Sequence, residues 1–159
     1  MKSTGEAIGY DDSLNRALYK SLQASNMRVV NYGTVLVTLA DQDKARASPL
    51  VRRFYDLGFN IEATSGTAKL LKAHGIKTRE KKKISEGSEE ILDSIRKGHV
   101  TYILNTLSSS DTNTSKDGYQ IRRCAVENNV TVFTSLDTVN VLLDVLEEIT
   151  MGVSTIDQN

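Results

Sequence analysis

The feature that most constrains the fold is the run Thr34-Val35-Leu36-Val37-Thr38-Leu39, apolar and β-branched on both of its alternating faces. A strand without polar alternation has no side to give to water, so it predicts a buried strand of a parallel sheet. The pattern then changes period. Leu50, Val51, Phe54 and Leu57 share one face of a predicted helix that stops at Gly58, with Pro49 expected in its first turn, where a missing amide hydrogen costs nothing. The alternation repeats as a strand over residues 59–63, a helix over 68–74 ending at Gly75, a strand over 78–82, and a helix over 88–97 ending at Gly98. A strand over 100–104, a helix over 119–128, a strand over 130–133 and a helix over 138–149 complete the series. Five strand-then-helix units with mostly short connections predict an α/β fold, a three-layer α/β/α domain around a five-stranded parallel sheet, because right-handed crossovers lay helices on both faces.

Two segments stand outside this rhythm. Residues 1–11 are polar and carry Gly5 and Gly9; Asp12 or Ser13 then caps a predicted helix whose Leu14, Ala17, Leu18 and Leu22 form a narrow apolar stripe. Residues 107–118 are rich in Ser, Thr, Asn and Asp and predict the single long loop, a length that in a compact domain points to function or disorder.

Composition narrows the function classes. With 20 basic and 20 acidic residues the formal net charge is zero, so no global field gathers nucleic acid and any anion site must be local. No apolar run approaches the roughly 20 residues of a membrane helix, and no secretory pattern opens the chain, so a cytoplasmic protein without membrane contact is expected. One cysteine, Cys124, and two separated histidines, His74 and His99, offer neither a disulfide nor zinc spacing. Cys124 shares an apolar helix face with Ile121 and Ala125 and reads as core.

In an open parallel sheet, ligands sit beyond the carboxyl ends of the strands, near the point where strand order reverses. Those ends carry Thr38 followed by Asp41, Gln42, Asp43 and Lys44; Thr64-Ser65-Gly66-Thr67; and Asn105-Thr106. Thr64 to Thr67 lead into a helix, so hydroxyls and first-turn amides can hold a phosphate, Gly66 letting the backbone approach, with Lys44 and Lys83 supplying cationic charge. Read singly, Thr64 and Ser65 are ordinary helix caps and the basic run 79–83 is a solvated face. Asp41 and Asp43 serve a helix dipole more readily than acid–base chemistry. Arg122 and Arg123, beside the polar loop, can reach an anion across the site or face a partner.

As an ordered set, Ala63-Thr64-Ser65-Gly66-Thr67, Asn105-Thr106, Ile121-Arg122-Arg123 and Thr134-Ser135-Leu136-Asp137-Thr138 resemble the C-terminal allosteric domain of the carbamoyl phosphate synthetase large subunit, a member of the methylglyoxal synthase-like fold family. Asp117 to Arg123 and Thr134 to Thr138 look most like the Gram-positive, pyrimidine-type enzyme. Residues 1–30 resemble the end of the preceding ATP-grasp region and the stretch that follows it, leaving 31–159 as the allosteric domain. The resemblance implies an effector pocket on Thr38, Lys44, Thr64, Ser65, Gly66, Thr67, Lys83, Asn105, Thr106 and Thr134, with UMP as feedback inhibitor and IMP or phosphoribosyl pyrophosphate as competitors. It implies no cofactor or catalytic residue in this chain, with ATP and Mg in the parent enzyme. The implied partners are the rest of the large subunit and the glutamine amidotransferase small subunit. Leu107 stands where some members carry a second threonine, and Val132 stands where ornithine-activated members carry a tyrosine, which argues against ornithine.

The alternative is a methylglyoxal synthase-type lyase acting on dihydroxyacetone phosphate, which requires an aspartate in a Gly-Gly-Asp segment. The corresponding stretch, Ser85-Glu86-Gly87-Ser88-Glu89-Glu90, has Ser88 near that place, so enolisation lacks its base. A cyclohydrolase-like domain of purine synthesis has no place for the opening helix.

Overall fold

A computed structural model describes residues 30–84, 87–106 and 112–158, with side chains described only to residue 106 and from 117 to 150 in the later part. The expected tail and helix within residues 1–29 lie outside the described residues. In chain order the elements are β1 (Thr34–Thr38), a 3-10 turn (Asp41–Asp43), α1 (Lys44–Asp56), β2 (Asn60–Thr64), α2 (Ser65–Ala73) and β3 (Thr78–Lys81). Then come α3 (Glu90–Arg96), β4 (Tyr102–Asn105), α4 (Thr112–Glu127), β5 (Thr131–Phe133) and α5 (Leu136–Gln158).

The five strands form one sheet in the order β3-β2-β1-β4-β5, and every pairing is parallel. The sheet grows outward one way from β1 to β3, then crosses back to β4, so the strand order reverses between β1 and β4. Alternation along the strands divides the core. Val35, Val37, Ile61, Ala63, Tyr102 and Leu104 pack with Val51 and Phe54 of α1, Leu71 of α2 and Leu142, Leu143 and Leu146 of α5. Leu36 and Ile103 point the other way, toward Ile91 and Ile95 of α3 and Ile121, Cys124 and Ala125 of α4. Three helices on one face and two on the other give the three layers expected from the sequence.

The first face is anchored at its base by aromatic rings. Tyr102 lies 6.2, 5.9 and 6.0 Å from Phe54, Phe59 and Phe133 between centroids, and Phe54 meets Phe59 edge-on at 5.3 Å. The Tyr102 hydroxyl donates to the Val30 carbonyl at 2.7 Å and accepts from the Val30 amide at 2.8 Å, tying the segment before β1 to β4. Burial pushes this phenol up to about 12. On the outside, Arg53 of α1 grips α5: its guanidinium donates to both Glu147 oxygens at 3.0 and 2.7 Å, to Asp144 at 2.7 Å and to Asn140 at 2.7 Å.

Four expectations about element bounds are corrected. Pro49 is not in a first turn: α1 begins at Lys44, so Pro49 sits in its second turn and removes the bond to the Ala45 carbonyl. That loss is tolerated on an exposed side of the helix, where water can serve the carbonyl. The long polar loop is shorter than expected, since α4 starts at Thr112 and contains Gly118. The last helix runs past residue 149 to Gln158; Thr150 stays helical with its hydroxyl bonded back to the Leu146 carbonyl at 2.9 Å. Finally, α2 begins at Ser65, so Ser65, Gly66 and Thr67 are its first turn rather than a lead-in.

Candidate functional site at the carboxyl ends of the strands

In a parallel sheet, residues in register lie at one level with side chains on one face. Thr38 is in register with Asn105, Thr64 with Lys81, and Val37 with Ala63, which brings Thr38 level with Thr64. Lys81, Thr64, Thr38 and Asn105 therefore form a polar row across four strands, one layer above Arg79, Glu62, Leu36 and Ile103. The row faces the α3–α4 side, as Leu36 and Ile103 do.

The half of this row at the reversal of strand order is closed by directional hydrogen bonds. Arg122 Nη1 donates to Asn105 Oδ1 at 2.9 Å, which orients the amide so that its Nδ2 donates to Thr38 Oγ1 at 2.7 Å. Thr38 in turn donates to the Leu104 carbonyl at 3.3 Å. Thr106 accepts from the Ala40 amide at 2.8 Å, and its own amide donates to the Thr38 carbonyl at 3.2 Å. Asn105 and Thr106 are buried, so these bonds satisfy groups that would otherwise cost free energy. Gly118 makes the geometry possible: a Cβ there would stand 2.9 Å from Arg122 Nη1 and 3.1 Å from Asn105 Oδ1.

The other half is built from α1 and α2. Lys44, the first residue of α1, brings its ammonium within 3.2 Å of where a Gly66 Cβ would lie, over the first turn of α2. Thr64 stands at the N-cap of α2 but makes no capping bond through its side chain, although simple capping is the commonest reason for a threonine there. A cation over a helix N-terminus adds positive potential to that of the exposed amide ends, which is the arrangement an anion favours. The Lys44 ammonium is held at 2.7 Å by Asp41.

Of the ten residues expected in the pocket, the structure brings Lys44 to Gly66 and Thr38 to Asn105, with Thr106 pinning the loop between β1 and Lys44. Thr64 lies in the polar row, Ser65 is half-buried in the first turn of α2, and Thr67 lies on the buried side of α2 beside Ala68 and Leu71. Lys83 is exposed two residues beyond β3, and Thr134 is exposed directly after β5; both are at the same end of the sheet, on opposite flanks. The contribution of Arg122 is more specific than the sequence suggests: it orients Asn105, while Arg123 pairs with Glu127 at 3.4 Å. The signal for it was adjacency to the polar stretch, and Gly118 four residues earlier was the further clue.

Among the described residues no group of His, Cys, Asp and Glu is placed to hold a metal ion, and no helix is long and apolar enough to cross a membrane. Cys124 is buried beside the Leu92 carbonyl and Asn128, and burial pushes its thiol up.

Fold and strand-end chemistry together define an open, doubly wound parallel α/β domain with polar groups collected at its topological switch point. Residues 46–134, more than half of the chain, match the MGS-like domain family, and the chain belongs to that family. Thr38 and Lys44 fall just before the matched segment and Thr134 closes it.

Proposed function

We propose that this chain is the allosteric regulatory domain of a carbamoyl phosphate synthetase large subunit, binding a nucleoside monophosphate, UMP, at the strand-end site to control carbamoyl phosphate synthesis for pyrimidine and arginine production. The observation that carries the reading is the Lys44 ammonium over the first turn of α2, next to a polar row already ordered by Arg122. Phosphate would lie between Lys44 and the 64–67 turn, with Lys83 approaching from the β3 flank, and ribose hydroxyls would meet the Thr38–Asn105 side. The chain itself makes no carbamoyl phosphate in this reading; ATP and Mg are used by the parent's synthetase domains, and the glutamine amidotransferase subunit supplies ammonia. UMP acts by binding one docked arrangement of the domain better than another, since a ligand shifts an equilibrium only by its differential affinity.

Membership of the MGS-like family is equally compatible with a methylglyoxal synthase-type lyase. The regulatory reading is favoured by Ser88, near the place where that chemistry needs an aspartate: its hydroxyl accepts from the Glu90 amide at 3.2 Å in the turn just before α3. Calorimetry with UMP, IMP, phosphoribosyl pyrophosphate and ornithine, beside a dihydroxyacetone phosphate turnover assay, separates the two. UMP binding that Lys44→Gln removes is the expected result; release of methylglyoxal would establish the lyase instead.

A further inference from the structure

The phosphate reading leaves one close contact at the site unused: the ion pair between Lys44 Nζ and Asp41 Oδ1 at 2.7 Å. We propose that Asp41 is a built-in competitor for the phosphate, holding the ammonium that the ligand would use and so setting the affinity of the site. The inference rests on the phosphate reading above.

The local backbone makes the competition fixed rather than incidental. Asp41 opens the 3-10 turn that runs straight into α1, placing it three residues before Lys44 on a continuous helical path. That turn is tied down at Ala40, whose amide donates to the buried Thr106 hydroxyl at 2.8 Å and whose carbonyl accepts from Asp43 at 2.9 Å. Asp41 therefore cannot drift from the site with a mobile loop.

Exposure decides which partner yields. The Lys44 side chain is 26% exposed and lies against α2, whereas that of Asp41 is 96% exposed. An arriving phosphate can take the ammonium while the largely exposed carboxylate turns toward water. If the carboxylate stays, it faces a dianion at close range and repels it. Both routes make Asp41 lower the affinity for a phosphate ester. An exposed pair of this kind competes weakly, so neutralising it should tighten binding about three- to tenfold.

The alternative role is local: Asp41 lies in a first helical turn, where a carboxylate stabilises the dipole. The test compares the dissociation constants of inorganic phosphate and UMP, by calorimetry, for the unmodified chain and for Asp41→Asn, Asp41→Glu and Asp137→Asn. Asp137 is an exposed carboxylate paired with Arg46 at 3.9 Å, so it controls for net charge. Competition predicts tighter binding in Asp41→Asn alone, with Asp41→Glu near the unmodified chain. Unchanged or weaker binding in Asp41→Asn overturns the inference while leaving the phosphate site standing, and so does equal tightening in Asp137→Asn. If neither the unmodified chain nor Asp41→Asn binds phosphate or UMP, the phosphate reading itself fails.

Discussion

Replacing Gly118 by alanine tests whether the strand-end network is a coupled unit. Gly118 lies in the interior of α4, where alanine is ordinarily better than glycine by about 1 kcal/mol. Here the new methyl would meet Arg122 Nη1 at 2.9 Å and Asn105 Oδ1 at 3.1 Å. The guanidinium is the far end of a flexible chain and yields first. Once it moves, Asn105 keeps its bond to Thr38 but loses the donor to Oδ1, and a buried acceptor left without a partner costs about 1–3 kcal/mol. The two effects together leave Gly118→Ala neutral to about 2 kcal/mol less stable. In an Arg122→Met background that donor is already gone, so the same substitution should recover most of its helix-propensity gain. Urea denaturation of the four proteins measures the coupling, expected at about 1–3 kcal/mol. Stabilisation by about 1 kcal/mol in both backgrounds would refute the coupling and with it the view that Arg122 orients Asn105.

Three further substitutions probe the frame around the site. Tyr102→Phe removes both bonds to Val30 and should cost about 1–3 kcal/mol at neutral pH by thermal or urea unfolding. The folded-state pKa of Tyr102, about 12, exceeds the ordinary value of 10.0, so its contribution is intact below pH 10 and is lost as pH rises from there through 12. That alkaline loss, on the order of 2–3 kcal/mol, should be absent in Tyr102→Phe. Glu62 is buried with Oε1 lacking any hydrogen-bond partner and Oε2 3.7 Å from Arg79, so Glu62→Met should be neutral to about 2 kcal/mol more stable in urea, and a clear loss would show the carboxylate to be needed. Arg53→Met leaves Asp144 and Glu147, neighbours three residues apart on α5, without their shared cation from α1; with these carboxylates about two-fifths exposed, the loss should be only about 1–2 kcal/mol and should shrink in high salt.

The layers of the fold were legible in the sequence because burial on both faces leaves no polar alternation in a strand such as Thr34–Thr38, and each helix carries its own stripe. Two of the bounds that failed share a physical cause. Pro49 reads as a first-turn residue and Gly118 as the end of a loop when local propensity alone is weighed, yet each lies inside a helix. Gly118 is there because of Asn105, a residue thirteen positions earlier that no local pattern connects to it. Strand-end position was enough to gather Thr38, Thr64 and Asn105 as candidates. What composition cannot encode is register, and register is what sets these residues level in one row while leaving Lys83 and Thr134 on the flanks.

The two halves of the site differ in a way that bears on how it would work. Around β1 and β4 every bond closes on protein: Arg122, Asn105, Thr38 and Thr106 satisfy one another, so this wall keeps its shape without a ligand. Over α2 the charge is held by an exposed carboxylate, and Thr64 at the helix start makes no side-chain capping bond. A rigid wall lowers the ordering cost of binding, whereas a cation with a displaceable partner lets affinity be set by a single side chain. Of the two, the ordered wall suits discrimination among ligands, because the remaining donor and lone-pair capacity of Asn105 and Thr38 is held in fixed positions that a ligand must match. The Lys44 side suits tuning of strength, since changing it alters attraction for any phosphate alike. Substitutions at Asn105 should therefore change which phosphate ester is preferred, and substitutions at Asp41 or Lys44 should change how tightly all of them are held, a separation that parallel titrations with UMP, IMP and inorganic phosphate would read directly.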